Sequence, residues 1–383
     1  MRYSVYSLFS LLFFAQISHA TSPELLIKQL QIPADFQLSI YAEVPEARSL
    51  AVDEKTGTVY VGSRSGNTIH AILDVNKDFK SDVVIPLLTD LNSPNGVAVH
   101  PQTGDLYIVE QHQIRQISAN QLTALSPQSH LKSNIIFNAL PDKRWHGWRY
   151  AKFSPTGYLY VAVGAPCNIC DVQGIEGTII RLDVSTSNAQ MAVFARGIRN
   201  SVGFDFHPIS GELYFTDNGA DNLGDLIPPC ELNHAPQAGL HFGYPYVWGV
   251  NNTPYPDSKK RQPPMPSTMT APIVAFDAHA APLGIHFIRG KNYPKNYQTS
   301  ALVAQHGSWN RNPADPAGYK VVRVQFDEQG KVINTQDFIT GWLDSEKKAW
   351  GRPVDIAQLA DGSLLISDDR AGLIYRLQYV GKN

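Results

Sequence analysis

The stretch PTGYLYVAV, residues 155 to 163, sets a glycine turn directly before a short apolar and aromatic run, and the chain repeats that phrase. The other copies are KTGTVYVGS (55–63), QTGDLYIVE (102–110), ISGELYFTD (209–217) and ADGSLLISD (360–368). The turn glycines stand at 57, 104, 157, 211 and 362, so the successive intervals are 47, 53, 54 and 151 residues. A recurrence of about 40 to 50 residues with several short strands in each unit is the signature of propeller blades.

The long interval holds more than one unit. TSALVAQH (299–306) and YKVVRVQFDEQGKV (319–332) read as strands of a further blade. The Pro-, Gly-, Tyr- and Trp-rich stretch 228–282 reads as a long insertion between the fourth and fifth blades. The expectation is therefore an all-β, six-bladed β-propeller forming a single domain over residues 21–383. GVAVHP (96–101), YAKFSP (150–155), GFDFHP (203–208) and DIAQLA (355–360) precede the turns and suit period-two strands buried between blades. Helical patterning is confined to SPELLIKQLQI (22–32), where Ser22 is a candidate cap. A solenoid or a pair of β-sandwiches is the competing architecture.

Composition narrows the function classes. Only 17% of the 383 residues are charged and the formal net charge is −2, which leaves neither a nucleic-acid footprint nor a polybasic membrane patch. At the N-terminus, Arg2, the apolar run Val5 to Phe14 and the small-residue ending Ser18, His19, Ala20 form a secretory signal with cleavage expected after Ala20. That run is shorter than the roughly 20 residues a permanent anchor needs. The mature chain is read as periplasmic or secreted and not as an integral membrane protein.

Chemistry in a propeller sits in the loops at one end of the channel. In DKRWHGWRY (142–150), His146 lies between two tryptophans with Arg144 and Arg149 close by, and neighbouring cations push an imidazole toward the neutral form a general base needs. In RGIRNSVGFDFHP (196–208), Arg199 and Asn200 offer a guanidinium fork and an amide to an oxygen-rich anion. TDNGADNLGDLIPPCELN (216–233) carries oxygen ligands around Gly219 and Gly224, as a hard cation requires, without the helix-loop-helix calcium spacing. QHGSWNRNP (305–313) and AWGRPVDIA (349–357) add Arg311 and Arg352. Each segment taken singly also reads as a packed or solvated loop. No dinucleotide fingerprint, phosphate loop or Gly-x-Ser-x-Gly elbow is present.

Taken in order, WHGWRYAKFSPTGYLYVAVGAPCNIC (145–170), RGIRNSVGFDFHP, TDNGADNLGD (216–225), HFGYPY (241–246), QHGSWNR (305–311) and GRPVDIAQLADGSLLISDDRAGLIYR (351–376) resemble the periplasmic glucose/sorbosone dehydrogenase family. The resemblance covers nearly the whole mature chain and is closest to the sorbosone dehydrogenase-like and pyranose dehydrogenase-like branch. It implies a six-bladed propeller that oxidises a sugar at the anomeric carbon by hydride transfer to pyrroloquinoline quinone (PQQ), with Ca2+ beside it. It implies His146 as the base, Arg199 polarising the quinone with Asn200 beside it, and backbone carbonyls of Gly219 and Ala220 on calcium. His306, Arg311 and Arg352 then stand where the cofactor's carboxylates are held. The electron acceptor would be a separate soluble or membrane carrier, such as a cytochrome or quinone, since no haem-attachment motif is present.

Three positions depart from the glucose dehydrogenase branch. Ala165 stands where an aspartate supports the histidine, which leaves Asp142, Asp171 or no carboxylate to orient the imidazole. Val354 replaces the second of two arginines in the last blade, and the 305–311 run has no lysine. Two other classes keep the same scaffold. One is a lactonase-type hydrolase with a metal ring drawn from Asn95, Asn200, Asp217 and Asn218. The other is a cofactor-free sugar- or protein-binding propeller. Tyr244, Tyr246 and Trp248 in the insertion either stack on a sugar or pack a lid. Export favours a local Cys167–Cys170 disulfide with Cys230 free, a pairing through Cys230 being the rival; zinc lacks a fourth ligand, and the haem and thioredoxin contexts are missing.

Overall fold

A second strand such as Leu159–Val163 is buried along its whole length, which in a half-exposed sheet would be impossible. The reason is that both of its faces meet a neighbouring blade. Leu159, Val161 and Val163 pack with Ala98, Tyr107 and Val109 on one side, while Tyr160 and Ala162 pack with Phe204, Phe206 and Phe215 on the other. Such strands therefore read as continuous apolar runs. Each fully buried Val, Leu or Ile side chain contributes about 1.5–3 kcal/mol, so the inter-blade layers are the core of the fold.

The computed structural model describes residues 22–186 and 189–381, and it is a six-bladed β-propeller. Blade one comprises Leu50–Val52, Val59–Val61, Ile69–Leu73 and Val83–Leu88, and blade two Gly96–Val99, Leu106–Val109, Ile114–Ile117 and Asn134–Phe137. Blade three comprises Ala151–Phe153, Leu159–Val163, Thr178–Asp183 and Gln190–Arg196. Blade four has Phe204–Phe206, Leu213–Asp217, Cys230–Ala235 and Val274–Phe276, and blade five Pro282–Phe287, Ser300–Gln305, Lys320–Phe326 and Val332–Ile339. Blade six joins Pro353–Gln358, Leu364–Asp368 and Leu373–Tyr379 to the N-terminal strand Phe36–Glu43.

That last pairing closes the ring. Phe36–Glu43 runs antiparallel to Leu373–Tyr379 from Phe36↔Tyr379 to Glu43↔Leu373, tying the two ends of the chain into one sheet. The glycine-turn repeat misses it, because FQLSIYAE carries no preceding glycine turn. The five repeat glycines take φ values from +71° to +88°, and a Cβ at Gly57 would meet nothing within 4 Å, so conformation alone selects glycine there.

Two expectations need correction. The stretch 228–282 is not an insertion between blades four and five: its ends supply the third and fourth strands of blade four and the start of blade five. What is inserted lies between Cys230–Ala235 and Val274–Phe276, and it adds a parallel strand, Leu240–His241, to blade three and a small hairpin, Val247–Trp248 with Thr253–Pro254. Near the start, Pro23–Leu26 is helical, but the Ser22 side chain makes no capping bond; its backbone carbonyl accepts from the amides of Leu25 and Leu26. The expected leader, residues 1–20, lies outside the described residues.

The first strands ring the channel, which has two unlike mouths. A cavity of about 890 Å³ opens at the glycine-turn end, lined by Lys152, Asp205, His286, Arg289 and Gln358. There Asp205 ties blade three to blade five, accepting from Lys152 at 2.7 Å and Arg289 at 2.9 Å. The opposite mouth is built from loops that enter first strands and leave second strands, and it receives the candidate site residues. No helix among the described residues is long and apolar enough to cross a membrane.

Candidate active site

His146 sits in the loop entering blade three, buried and in the left-handed region with φ +51°. An L residue adopts that conformation only where its surroundings hold it. Arg149 supplies the hold: its guanidinium donates to the carbonyls of His146 (3.1 Å), Gln111 (3.1 Å) and Pro141 (2.7 Å). Gly164 leaves room for the ring, since a Cβ there would lie 2.5 Å from the Cβ of His146.

His146 Nδ1 is 2.9 Å from the carbonyl oxygen of Ala165. A carbonyl only accepts, so Nδ1 carries the proton and Nε2 keeps its lone pair. Burial first, then the nearby Arg199 charge, brings the pKa of His146 down to about 3. The imidazole is thus a neutral base over the working range of pH. Neither suggested carboxylate orients it: Asp142 accepts from Gln111 at 2.5 Å and Asp171 faces Arg261 at 3.6 Å.

Arg199 lies in the loop entering blade four, with its side chain almost wholly buried. Its Nε donates to the Asn168 carbonyl (3.0 Å), Nη1 to the Asn218 carbonyl (3.2 Å), and Nη2 to Asn168 Oδ1 (2.8 Å) and Asp221 Oδ2 (2.9 Å). Asp217 bridges the backbone, accepting from the amides of Arg199 (2.9 Å) and Asn200 (2.6 Å). Burial outweighs those bonds and raises the Asp217 carboxyl to about 6. Cys167 and Cys170 are disulfide-bonded, with Cα atoms 6.1 Å apart, and Cys230 is free and buried. The Cys230 sulfur accepts from the Gly219 amide at 3.4 Å, and burial lifts its thiol to about 11.

A second network approaches from blades five, six and one. His306 Nε2 is 2.8 Å from Asp369 Oδ1, and Asp369 Oδ2 meets Arg48 at 2.5 Å. Burial favours a neutral Asp369, but His306 and Arg48 outweigh it and hold the carboxylate ionised. Arg48 continues to Asn95 (2.8 Å), whose amide donates to the Arg149 carbonyl (2.8 Å), so the network returns to the His146 loop. Arg352 donates to the carbonyls of Gly307 and Ser308 and to the Tyr319 hydroxyl, while Arg311 donates to the Ala278 carbonyl (3.2 Å) and Asp315 (2.5 Å).

Several buried polar atoms at this mouth have no partner: Nε of Arg311 and of Arg352, and Oδ1 of Asn218 and of Asn310. Leaving buried polar atoms unpaired costs about 1–3 kcal/mol each, a cost that a bound ligand would relieve. Two arginine donors suit a carboxylate-bearing molecule, and two amide oxygens suit a hard cation. Gly219 packs so tightly on the carbonyls of Pro229 and Pro228 that a Cβ would lie 2.7 Å and 2.9 Å from their oxygens, respectively. Among the described residues no three His, Cys, Asp or Glu side chains converge as a metal site.

The sequence reading gave no individual role to Arg48, Asp369, Asp221, Asn168 or Asn310, although all but Arg48 lie within the motifs it quoted. It also missed Arg64, whose guanidinium lies 3.9 Å from the centre of the Trp148 ring, and Trp148 packs with Val202, Leu283 and Val354. Val354 therefore belongs to an apolar floor. Tyr244 and Tyr246 are buried and pack the inserted segment, whereas Trp145 (52%) and Trp309 (74%) are exposed. The lactonase-type ring is not assembled, because Asn95 and Asp217 are spent on Arg48, the Arg149 carbonyl and backbone amides.

The TrAA12-like family model matches residues 31–380 of the chain. An uncharacterized protein of Borreliella burgdorferi is 35% identical over 366 residues, covering 93% of this chain and 92% of its own. The holo form of the pyranose dehydrogenase PQQ domain from Coprinopsis cinerea has a TM-score of 0.73 at 21% identity, covering 91% of this chain and 97% of that one. The calcium structure of Trichoderma reesei carbohydrate-active enzymes family AA12 has a TM-score of 0.70 at 19% identity, covering 91% and 97%.

Proposed function

The chain belongs to the TrAA12-like family, and we propose on that basis that it is an exported quinoprotein dehydrogenase oxidising an aldose or related sugar at the anomeric carbon. The observation that carries this reading is His146, pinned through Nδ1 and left with a free Nε2 beside the Arg199 cation. That pair suits removal of a hydroxyl proton where negative charge develops nearby.

The unpartnered Arg311 and Arg352 donors, with Arg199, Asn200 and His306, would hold PQQ, and the carbonyls of Gly219 and Ala220 would hold Ca2+. Bound there, the quinone supplies the hydride acceptor and calcium withdraws electron density from it. His146 Nε2 takes the proton of the sugar's anomeric hydroxyl, a role worth about 10²- to 10⁴-fold. Arg199, held by Asn168, Asn218 and Asp221, places its charge where negative charge builds up. Trp145 and Trp309 give the mouth exposed rings on which a sugar can stack. A separate carrier would accept the electrons, and an N-terminal signal would send the chain to the periplasm or beyond.

The test is reconstitution of purified apoprotein with PQQ and Ca2+, followed by dye reduction across a panel of aldoses. Sugar-dependent reduction that vanishes in His146→Ala is expected. Failure of wild-type protein to take up the quinone would overturn the reading and favour a binding propeller.

A further inference from the structure

Asn168 stands inside the turn closed by the Cys167–Cys170 disulfide, and nearly every polar atom it has is spent on one of two partners. Its Oδ1 accepts from Arg199 Nη2 and from the Asp221 amide, both at 2.8 Å. Its carbonyl accepts from Arg199 Nε at 3.0 Å and from the Tyr244 hydroxyl at 3.4 Å, and its Nδ2 donates to the Asp221 carbonyl at 2.8 Å. Asp221 completes the cage through its ion pair with Arg199 (2.9 Å), while its other oxygen accepts from Asn310 (2.6 Å). The turn is fixed on its far side as well, because the Cys170 amide donates to the Tyr244 hydroxyl at 3.1 Å.

An arginine side chain has four rotatable bonds, so its aim depends on what grips it. Here one short residue takes both donors along the Nε–Nη2 edge of the guanidinium and at the same time clasps the backbone of the residue that ion-pairs with it. The grip is only as stiff as the loop presenting Asn168. A four-residue turn without regular structure, from Cys167 to Cys170, is made stiff by the bond between its ends.

We propose that Asn168 is a positioning residue for Arg199, and that the Cys167–Cys170 disulfide serves to keep Asn168 in place. This rests on the role given to Arg199 above. Asn168 touches no reacting atom; it acts by holding the guanidinium where charge develops, so its loss lowers kcat and leaves sugar KM little changed. Misaim of this kind costs on the order of 10- to 100-fold in rate.

The experiment uses the full mature chain loaded with PQQ and Ca2+, in a double-mutant cycle of Asn168→Ala and Arg199→Lys. The expected result is a large kcat loss for Asn168→Ala alone and a loss under about 2-fold when Arg199 is already lysine, since residues acting through one another are not additive. Equal losses in both backgrounds would mean a general loop defect and would overturn the proposal. Asn168→Asp retains the Oδ1 acceptor and should fall between wild type and Asn168→Ala. The paired Cys167→Ala, Cys170→Ala variant should share the kcat loss; full activity in it would remove the disulfide from the proposal. Amide hydrogen exchange at Asp221 in apoprotein reads the grip without any cofactor. Faster exchange in Asn168→Ala supports the clasp, and unchanged protection refutes it, even if wild-type protein turns over no sugar and the functional reading falls.

Discussion

The Nδ1 of His146 lies 2.9 Å from the carbonyl oxygen of Ala165, the residue at the place where an aspartate stands in the glucose dehydrogenase branch. A backbone carbonyl fixes the tautomer as a carboxylate would, without adding a negative charge that stabilises imidazolium. The imidazole is thereby oriented and kept weakly basic. Ala165 itself is fully buried, packed with Ala220, Tyr244 and Tyr255. An introduced aspartate would carry a charge into that apolar cluster. Ala165→Asp should therefore lower Tm by several degrees and fail to raise kcat; a stable, faster variant would show that the carbonyl is an inferior substitute.

His146→Ala should reduce kcat by about 10²- to 10⁴-fold while quinone affinity changes little, because the proposed role gives the ring the substrate's proton and not the cofactor's carboxylates. Stopped-flow measurement of single-turnover rates, beside equilibrium titration of the quinone, separates the two effects. Parallel loss of binding would place His146 in cofactor retention instead.

The pH dependence has a definite sign. With its pKa lowered to about 3 by burial and by Arg199, His146 stays unprotonated throughout the range above that value. The acid limb of kcat/KM due to this base should lie well below pH 6.5, the ordinary imidazole range. Arg199→Gln removes a neighbouring positive charge, so the limb should move to higher pH as well as the rate falling. An acid limb that stays put in Arg199→Gln would show that the guanidinium does not act on His146.

Arg352 and Arg64 should differ in how much they matter. Arg352 has an unpartnered, buried Nε and holds the carbonyls of Gly307 and Ser308, whereas Arg64 is exposed and rests on the Trp148 ring. Loss of a charge-assisted contact from a buried donor is worth about 1.5–3 kcal/mol, or roughly 10- to 100-fold in affinity. Arg352→Ala should weaken quinone binding on that scale, and Arg64→Ala by less. Fluorescence titration of apoprotein checks both, and unaltered affinity in Arg352→Ala would remove that residue from the cofactor site.

Glu231 offers a test of stability alone. Burial, aided by Asp217, raises its carboxyl to about 7, above its unfolded value near 4.5. A carboxyl with a raised folded pKa costs stability as pH climbs from the unfolded value to the folded one, and the full penalty stands above that. Glu231→Gln keeps an acceptor for the Gly249 amide, which Glu231 holds at 2.7 Å, and cannot ionise. Its Tm relative to wild type should therefore rise between pH 4.5 and pH 8. A difference independent of pH would mean that Glu231 is not the titrating group.

Much of the fold was legible in the chain because it repeats. Glycine turns with positive φ and apolar second strands are local features shared by five of the six blades, so they leave the same mark five times. The insertion misled because Cys230–Ala235 and Val274–Phe276 lack the turn phrase and are distinguished only by the strands they pair with. The closing strand Phe36–Glu43 escaped for the same reason, its partner being at the other end of the chain.

By itself the sequence supplied the blade repeat, the residue types at the mouth and a preference for the local Cys167–Cys170 pairing over one through Cys230, since each is written in residues near one another in the chain. Only the tertiary structure decided what those residues do to one another. That His146 is oriented by the Ala165 carbonyl spans 19 positions of chain, that His306 reaches Arg48 through Asp369 spans 63 and then 321, and that Asn168 grips Arg199 spans 31. Hydrogen bonds are short and directional, so a motif can announce donors and acceptors; which of them meet depends on the ring closure that brings six blades' loops to one mouth.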